Sequence, residues 1–185
     1  MDKPGEYQTR KAARRKALQL LYQATMSGEP VERILSEELY LEEVGVPCEF
    51  TKMLLIGTMG HLKEIDAYIA RTSANWKIDR MPLVDLGVLR MATFELLYVD
   101  EVPFGVSINE AVELAKHFGC EDESSRFVNG VLGRIARELD ELAADDAGCG
   151  ALPDAEVGIT APGPRQPASC DFAGLDEKDR SREHG

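Results

Sequence analysis

Leu83-Val84-Asp85-Leu86-Gly87-Val88-Leu89-Arg90-Met91-Ala92-Thr93-Phe94-Glu95-Leu96-Leu97 is the stretch whose reading decides the fold. Wound at about 100° per residue, its apolar residues at 83, 86, 88, 89, 91, 92, 94, 96 and 97 leave no broad polar side. A helix that is apolar nearly all round must be enclosed by neighbours. Pro82 suits the first helical position, where the missing N–H has no intrahelical partner to lose. The spacing therefore predicts a central helix over about residues 82–99 with other elements packed around it.

The flanking sequence supplies those neighbours. On the N-terminal side a helix is predicted over about 8–27, with Ala13, Ala17, Leu20, Leu21 and Ala24 on one arc and Gly28 and Pro30 as its stop. A shorter helix, about 31–44, ends at Gly45 and Pro47. A third, about 48–73, carries Phe50, Met53, Leu54, Gly57, Leu62, Ile65 and Ile69 toward the first two. Residues 75–81 then bridge to the central helix. On the C-terminal side, Ser107-Ile108-Asn109-Glu110 has the form of a capping box and predicts a helix over about 108–118, stopped at Gly119. A last amphipathic helix, about 124–143, buries Phe127, Val128, Val131, Leu132, Ile135, Leu139 and Leu142. No strand-like alternation competes, so the fold class is all-α, a compact bundle of about six to seven helices.

The chain has 185 residues, enough for one sizeable core, and a formal net charge of −12. That charge argues against an indiscriminate nucleic-acid or anionic-membrane binder, while 44% hydrophobic residues argue against wholesale disorder. No stretch approaches the roughly 18 apolar residues of a membrane span, and no signal-peptide core follows the basic start. A soluble, cytoplasmic protein is expected. Cys48, Cys120, Cys149 and Cys170 form no Cys-x-x-Cys pair, and His61, His117 and His184 stand apart from them. Reduced thiols are expected rather than a disulfide frame or a metal site. Residues 146–185 hold four prolines and six glycines without apolar periodicity and read as a disordered acidic tail.

The charge is unevenly distributed. Lys3, Arg10, Lys11, Arg14, Arg15 and Lys16 face only Asp2 and Glu6 in the first sixteen residues. On a helical wheel Arg10, Lys11, Arg14 and Arg15 cover one side of the first helix, and Tyr22 lies on the same side two turns beyond Arg15. Guanidinium groups grip phosphates in bidentate fashion and a ring offers a base a stacking surface, so the stripe suits single-stranded RNA. The same spacing also fits a solvated helix face. Asn109 and Asn129, near helix starts, fit capping or buried hydrogen bonds as well as contacts to RNA. Phe127 fits the core as well as a stacking platform. Phosphate loops, nucleophile elbows and paired Cys/His motifs are missing. Acid pairs such as Glu37-Glu38 read as solvated faces, so no enzyme and no cofactor is expected.

Several of these segments together resemble the NusB family of bacterial transcription antitermination factors. They are Arg14-Arg15-Lys16-Ala17-Leu18-Gln19-Leu20-Leu21-Tyr22, Asn75-Trp76, Val88-Leu89-Arg90-Met91-Ala92, Ile108-Asn109-Glu110-Ala111-Val112-Glu113-Leu114-Ala115-Lys116 and Phe127-Val128-Asn129-Gly130-Val131-Leu132. The resemblance spans about residues 8–142 and implies two small helical subdomains, about 8–73 and 82–143, and a non-catalytic role. It further implies binding to the boxA element of nascent ribosomal RNA together with ribosomal protein NusE, in support of read-through by RNA polymerase. Carried onto this chain, the RNA contacts are Arg10, Lys11, Arg14, Arg15, Tyr22, Asp122, Phe127 and Asn129, with Asp85 as an acidic contact for the basic partner. Gly105 stands where relatives often carry a basic residue, and Ala12 and Ala13 interrupt the basic run, which implies modest affinity for RNA without the partner. Two other readings are an RNA-binding domain of the kind found in NusB-like ribosomal RNA methyltransferases and a helical scaffold that binds proteins only. The free protein is expected to be a monomer or a homodimer.

Overall fold

The computed structural model describes residues 4–40, 44–73 and 76–148, with side chains from Arg10 to Ala144 apart from Glu121 and Asp122. Among them it has seven α-helices, one 3-10 turn and no strand: α1 Pro4–Ser27, α2 Val31–Ser36, α3 Glu49–Gly60, α4 Leu62–Thr72, the turn Ile78–Arg80, α5 Leu83–Tyr98, α6 Phe104–Phe118 and α7 Glu121–Gly148. The expected tail falls outside the described residues beyond Gly148, and its first residues, 146–148, are the end of α7.

The central helix is where its composition put it. Helix α5 touches α1, α3, α4, α6 and α7. Leu86, Val88, Leu89, Met91, Ala92, Phe94, Leu96 and Leu97 are all buried, and Pro82 sits immediately before the helix as its N-cap. At roughly 1.5–3 kcal/mol per buried large apolar side chain, this one helix is a principal source of the fold's stability. One hydrophobic cluster joins Ala17 and Leu18 of α1, Leu54 of α3 and Ile65 and Ile69 of α4 to α5, α6 and α7. It thus draws on both the 8–73 and the 82–143 stretches. A smaller cluster, Leu20, Leu21, Ala24, Val31, Ile34, Val44 and Leu55, ties α1, α2 and α3 together. The expected inner arc of α1 is buried at Ala13, Ala17, Leu20, Leu21 and Ala24, and Gly28 ends the helix at φ 72°, a conformation glycine adopts without a Cβ penalty.

Several boundaries differ from the sequence reading: α1 already begins at Pro4 and α7 runs on to Gly148, and four further differences have a visible cause or consequence. Helix α2 stops at Ser36 instead of reaching 44, and the chain turns through Glu38 at φ 51°. The expected helix over 48–73 is two helices, broken at His61 (φ −107°, ψ 18°) directly after Gly60. The His61 ring packs against Tyr98 with centroids 4.2 Å apart and Phe94 at 5.8 Å, so the break lets α3 and α4 address α5 separately. Helix α6 begins at Phe104 with Pro103 as N-cap, and Ser107 is no cap at all. It lies inside the helix, buried, and its hydroxyl donates to Glu95 Oε1 at 2.5 Å. Pro103 starts the helix because its ring already fixes φ near the helical value. Helix α7 starts three residues before 124, with the Ser124 hydroxyl accepting the backbone N–H of Cys120 at 2.8 Å.

Candidate nucleic-acid interface

Helix α1 presents its cations unequally. Lys11 and Arg15 are exposed and Arg10 is half-buried, its guanidinium 5.4 Å from the Phe50 ring centre. Arg14 departs from the expected stripe. It is 3% exposed, and its Nε and Nη2 donate to Glu95 Oε2 and Oε1 at 2.9 and 2.7 Å, beside the Ser107 hydroxyl on Oε1. The reason is angular: Arg14 stands only about 20° beyond the edge of the Ala/Leu arc at about 100° per residue. It is therefore drawn into the core, where Glu95 compensates its charge. Arg14 is corrected from an RNA contact to an internal strut.

Arg15 points across the seam between α1 and α6. Its Nη2 donates to His117 Nε2, and its guanidinium lies 5.2 Å from the centre of the Phe118 ring. The seam opens as a cavity of about 570 Å³ lined by Lys11, Arg15, Lys16, Glu110, Glu113 and His117 among others. Its acids are already engaged: Glu110 is buried, and Glu113 accepts from Lys116 at 2.8 Å, a bond that, with the nearby Lys11 charge, holds its carboxyl below the usual range. Tyr22, 43% exposed, borders a larger groove of about 870 Å³ with Met26, Leu39, Tyr40 and Phe118. Neither His117 nor Phe118 was among the sequence candidates. They lie about a hundred residues from Arg15, and nothing local signals the pairing.

The second set of candidates does not form one face. Asp85, expected as an acidic partner contact, is 4% exposed and accepts from the Ser124 hydroxyl at 2.9 Å. Burial, joined by the Glu123 charge, pushes its carboxyl above the ordinary range against the opposing pull of Ser124. A carboxylate at the start of a helix reads as solvent-facing from sequence alone, but here α7 folds over it, so Asp85 is withdrawn from the partner-facing set. Asp122 lies in the first turn of α7 and its side chain is outside the described residues. Phe127 is half-buried and packs against Trp76 with ring centroids 5.5 Å apart. Asn129, two residues on and about 200° around the helix, is exposed on the other flank. There it borders a groove of about 440 Å³ with Asn109, Arg126, Ser125 and Gly105. Thus Arg15 and Tyr22 share the Phe118 region, Asn129 joins Asn109, and Phe127 joins Trp76.

Among the described residues no group of three or more His, Cys, Asp or Glu side chains is placed to hold a metal, and no helix is long and apolar enough to cross a membrane. The family model described as the NusB family matches residues 11–137. A transcription antitermination protein NusB of Exiguobacterium sp. is 46% identical over 129 residues, covering 70% of this chain and 98% of that protein. The solved structure of T. maritima NusB aligns with TM-score 0.60 at 36% identity, over 75% of this chain and 94% of its own. A crystal structure of the antitermination factors NusB and NusE in complex with dsRNA aligns with TM-score 0.57 at 28% identity, over 72% of this chain and 98% of its own. With the family model and whole-length relatives agreeing over the helices that build the core, the chain belongs to the NusB family.

Proposed function

We propose that this chain is a cytoplasmic, non-catalytic transcription antitermination factor that binds boxA RNA of nascent ribosomal RNA transcripts together with ribosomal protein NusE and promotes read-through by RNA polymerase. The observation that carries the reading is the α1–α6 seam, where Lys11 and Arg15 stand exposed on an otherwise acidic protein with Tyr22 and Phe118 rings beside them. Cations hold the sugar-phosphate backbone and rings accept unstacked bases. The structurally similar NusB with NusE and dsRNA supports the same assignment. The net charge of −12 suits a basic ribosomal protein as partner and confines RNA to the local cationic seam.

The test is a mobility shift of a single-stranded boxA RNA with and without NusE at two salt concentrations. With Arg14 internal, Arg10, Lys11 and Arg15 remain of the four-cation stripe for phosphates, and a log–log salt slope of roughly −2 is expected from about −0.7 per contact. NusE is expected to tighten binding strongly. Indifference to boxA RNA with NusE present would overturn the reading in favour of a protein-only scaffold.

A further inference from the structure

We infer that His117 is a positioning residue for the RNA surface: it holds the Arg15 guanidinium across the α1–α6 seam, over the Phe118 ring, as a pre-oriented phosphate fork. The inference rests on the proposed RNA-binding function and deepens it by naming what aims its central cation. Arg15 is exposed, yet its guanidinium is fixed from two directions by adjacent residues of another helix. Nη2 donates to His117 Nε2, and the Phe118 ring lies 5.2 Å below. The His117 and Phe118 rings are themselves perpendicular, with centroids 4.6 Å apart, so the two supports brace each other.

The chemistry of the pair sets its role. An imidazole that accepts at Nε2 carries its proton on Nδ1 and is neutral, so His117 adds no charge of its own to the surface in this arrangement. It supplies direction. A guanidinium has five N–H donors in a rigid plane, and one bond to His117 leaves donors along the remaining edges for phosphate oxygens. A free arginine side chain would have to give up its rotamer freedom when RNA binds; one already held by an acceptor and a ring has less to lose. Of the other α1 cations, Lys11 is exposed and carries an ammonium rather than a planar fork, Arg14 is held by Glu95, Arg10 lies over Phe50 of α3, and Lys16 Nζ donates to the Val46 carbonyl at 3.4 Å. Arg15 is thus the guanidinium of the stripe that the fold aims over the seam from a second helix.

The experiment measures binding of single-stranded boxA RNA, with NusE present, to the full chain and to Arg15→Ala, His117→Ala, His117→Gln, His117→Lys and the Arg15→Ala/His117→Ala double variant. In parallel, the order of the Arg15 Nε–H signal is followed by NMR in the free proteins. His117→Ala is expected to weaken binding about three- to tenfold and to mobilise the Arg15 signal. His117→Gln, which restores an acceptor, is expected to recover most of the affinity. The double variant is expected to bind no worse than Arg15→Ala alone, because His117 acts through Arg15. His117→Lys separates aim from charge: added positive charge by itself would tighten RNA binding, whereas loss of the acceptor beside Arg15 weakens it. Tighter binding by His117→Lys, or additive losses in the double variant, overturns the positioning role. If the unchanged chain binds RNA and Arg15→Ala weakens it while His117→Ala changes neither affinity nor the Arg15 signal, the inference fails and the proposed function stands. If the unchanged chain leaves boxA RNA unbound with NusE present, the proposed function fails and the inference falls with it, whatever the Arg15 signal shows.

Discussion

Arg14 and Glu95 meet as a two-pronged ion pair inside the bundle, 3% and 2% exposed, and the Ser107 hydroxyl completes the Glu95 carboxylate from α6. Removing one partner strands a buried charge. Arg14→Ala is therefore expected to cost about 3–5 kcal/mol of folding free energy, measured by urea denaturation. Arg14→Met combined with Glu95→Leu should cost less than either single replacement, since no lone charge is left behind. A single Arg14→Ala loss under about 1 kcal/mol would show that water reaches the pair.

Arg10 and Lys11 should behave differently from Arg14. Lys11→Ala, at an exposed position, is expected to leave stability within about 0.5 kcal/mol and to flatten the salt dependence of boxA binding by roughly 0.7 of a slope unit. Arg10→Ala should flatten it similarly and also lose its contact with Phe50. An unchanged slope in both variants would take the start of α1 out of the RNA surface.

Asp85 makes a pH-dependent contribution whose sign follows from its burial. Its carboxyl titrates above the ordinary value in the folded protein, so the ionised form is the disfavoured one there. The stability linked to this group is present below the unfolded-state value and is lost as pH rises through the raised folded value. Asp85→Asn, which does not titrate, should therefore compare more favourably with the unchanged protein at pH 7 than at pH 4. Denaturation curves at both pH values check this, and the opposite ordering would mean that the Ser124 hydrogen bond outweighs burial.

Gly57 marks the close approach of α3 to α5. A Cβ there would overlap the ring of the buried Phe94. The gain of about 1 kcal/mol in helix propensity from Gly57→Ala is smaller than the cost of overpacking a ring held on every side, about 1–3 kcal/mol or more. The expected outcome is a lower urea midpoint; a raised midpoint would mean that α3 moves away freely.

Phe127 and Asn129 leave α7 on opposite flanks, so their variants should separate. Asn129→Ala is expected to lower boxA affinity with stability unchanged, whereas Phe127→Ala should destabilise the fold through its lost packing on Trp76. Equal loss of stability in both variants would contradict the division.

The sequence carried the helices and the core better than it carried the surface. Periodicity reports whether a face is apolar, and that was enough to place α5 at the centre and to pick the buried arc of α1. It does not report what a polar residue meets after the chain folds. Ser107 and Glu110 have the spacing of a capping box, yet Pro103 starts the helix earlier and Ser107 turns to Glu95 instead. Arg14 sits at the border of its apolar arc, where a small angle separates solvent from core, and Glu95, far along the chain, decides the matter. Asp85 is buried because Ser124 of α7 lies over it. The break at His61 was legible only as Gly60; the ring contacts to Phe94 and Tyr98 that go with it depend on α5 being in place. Each of these four residues, Ser107, Arg14, Asp85 and His61, is polar or aromatic and meets its partner on another helix.

The enclosure of α5 also dictates an order of events during synthesis. Its apolar sides are translated in the middle of the chain, but the wall formed by Val128, Val131, Leu132 and Ile135 of α7 arrives only with the last of the described helices. A nascent chain that has produced α1 to α6 carries an uncovered hydrophobic strip, a state prone to association until the last helix docks. Truncations just before residue 128 should therefore yield aggregating products rather than a smaller folded protein, and α7, which lines none of the α1–α6 seam, is the element on which productive folding waits.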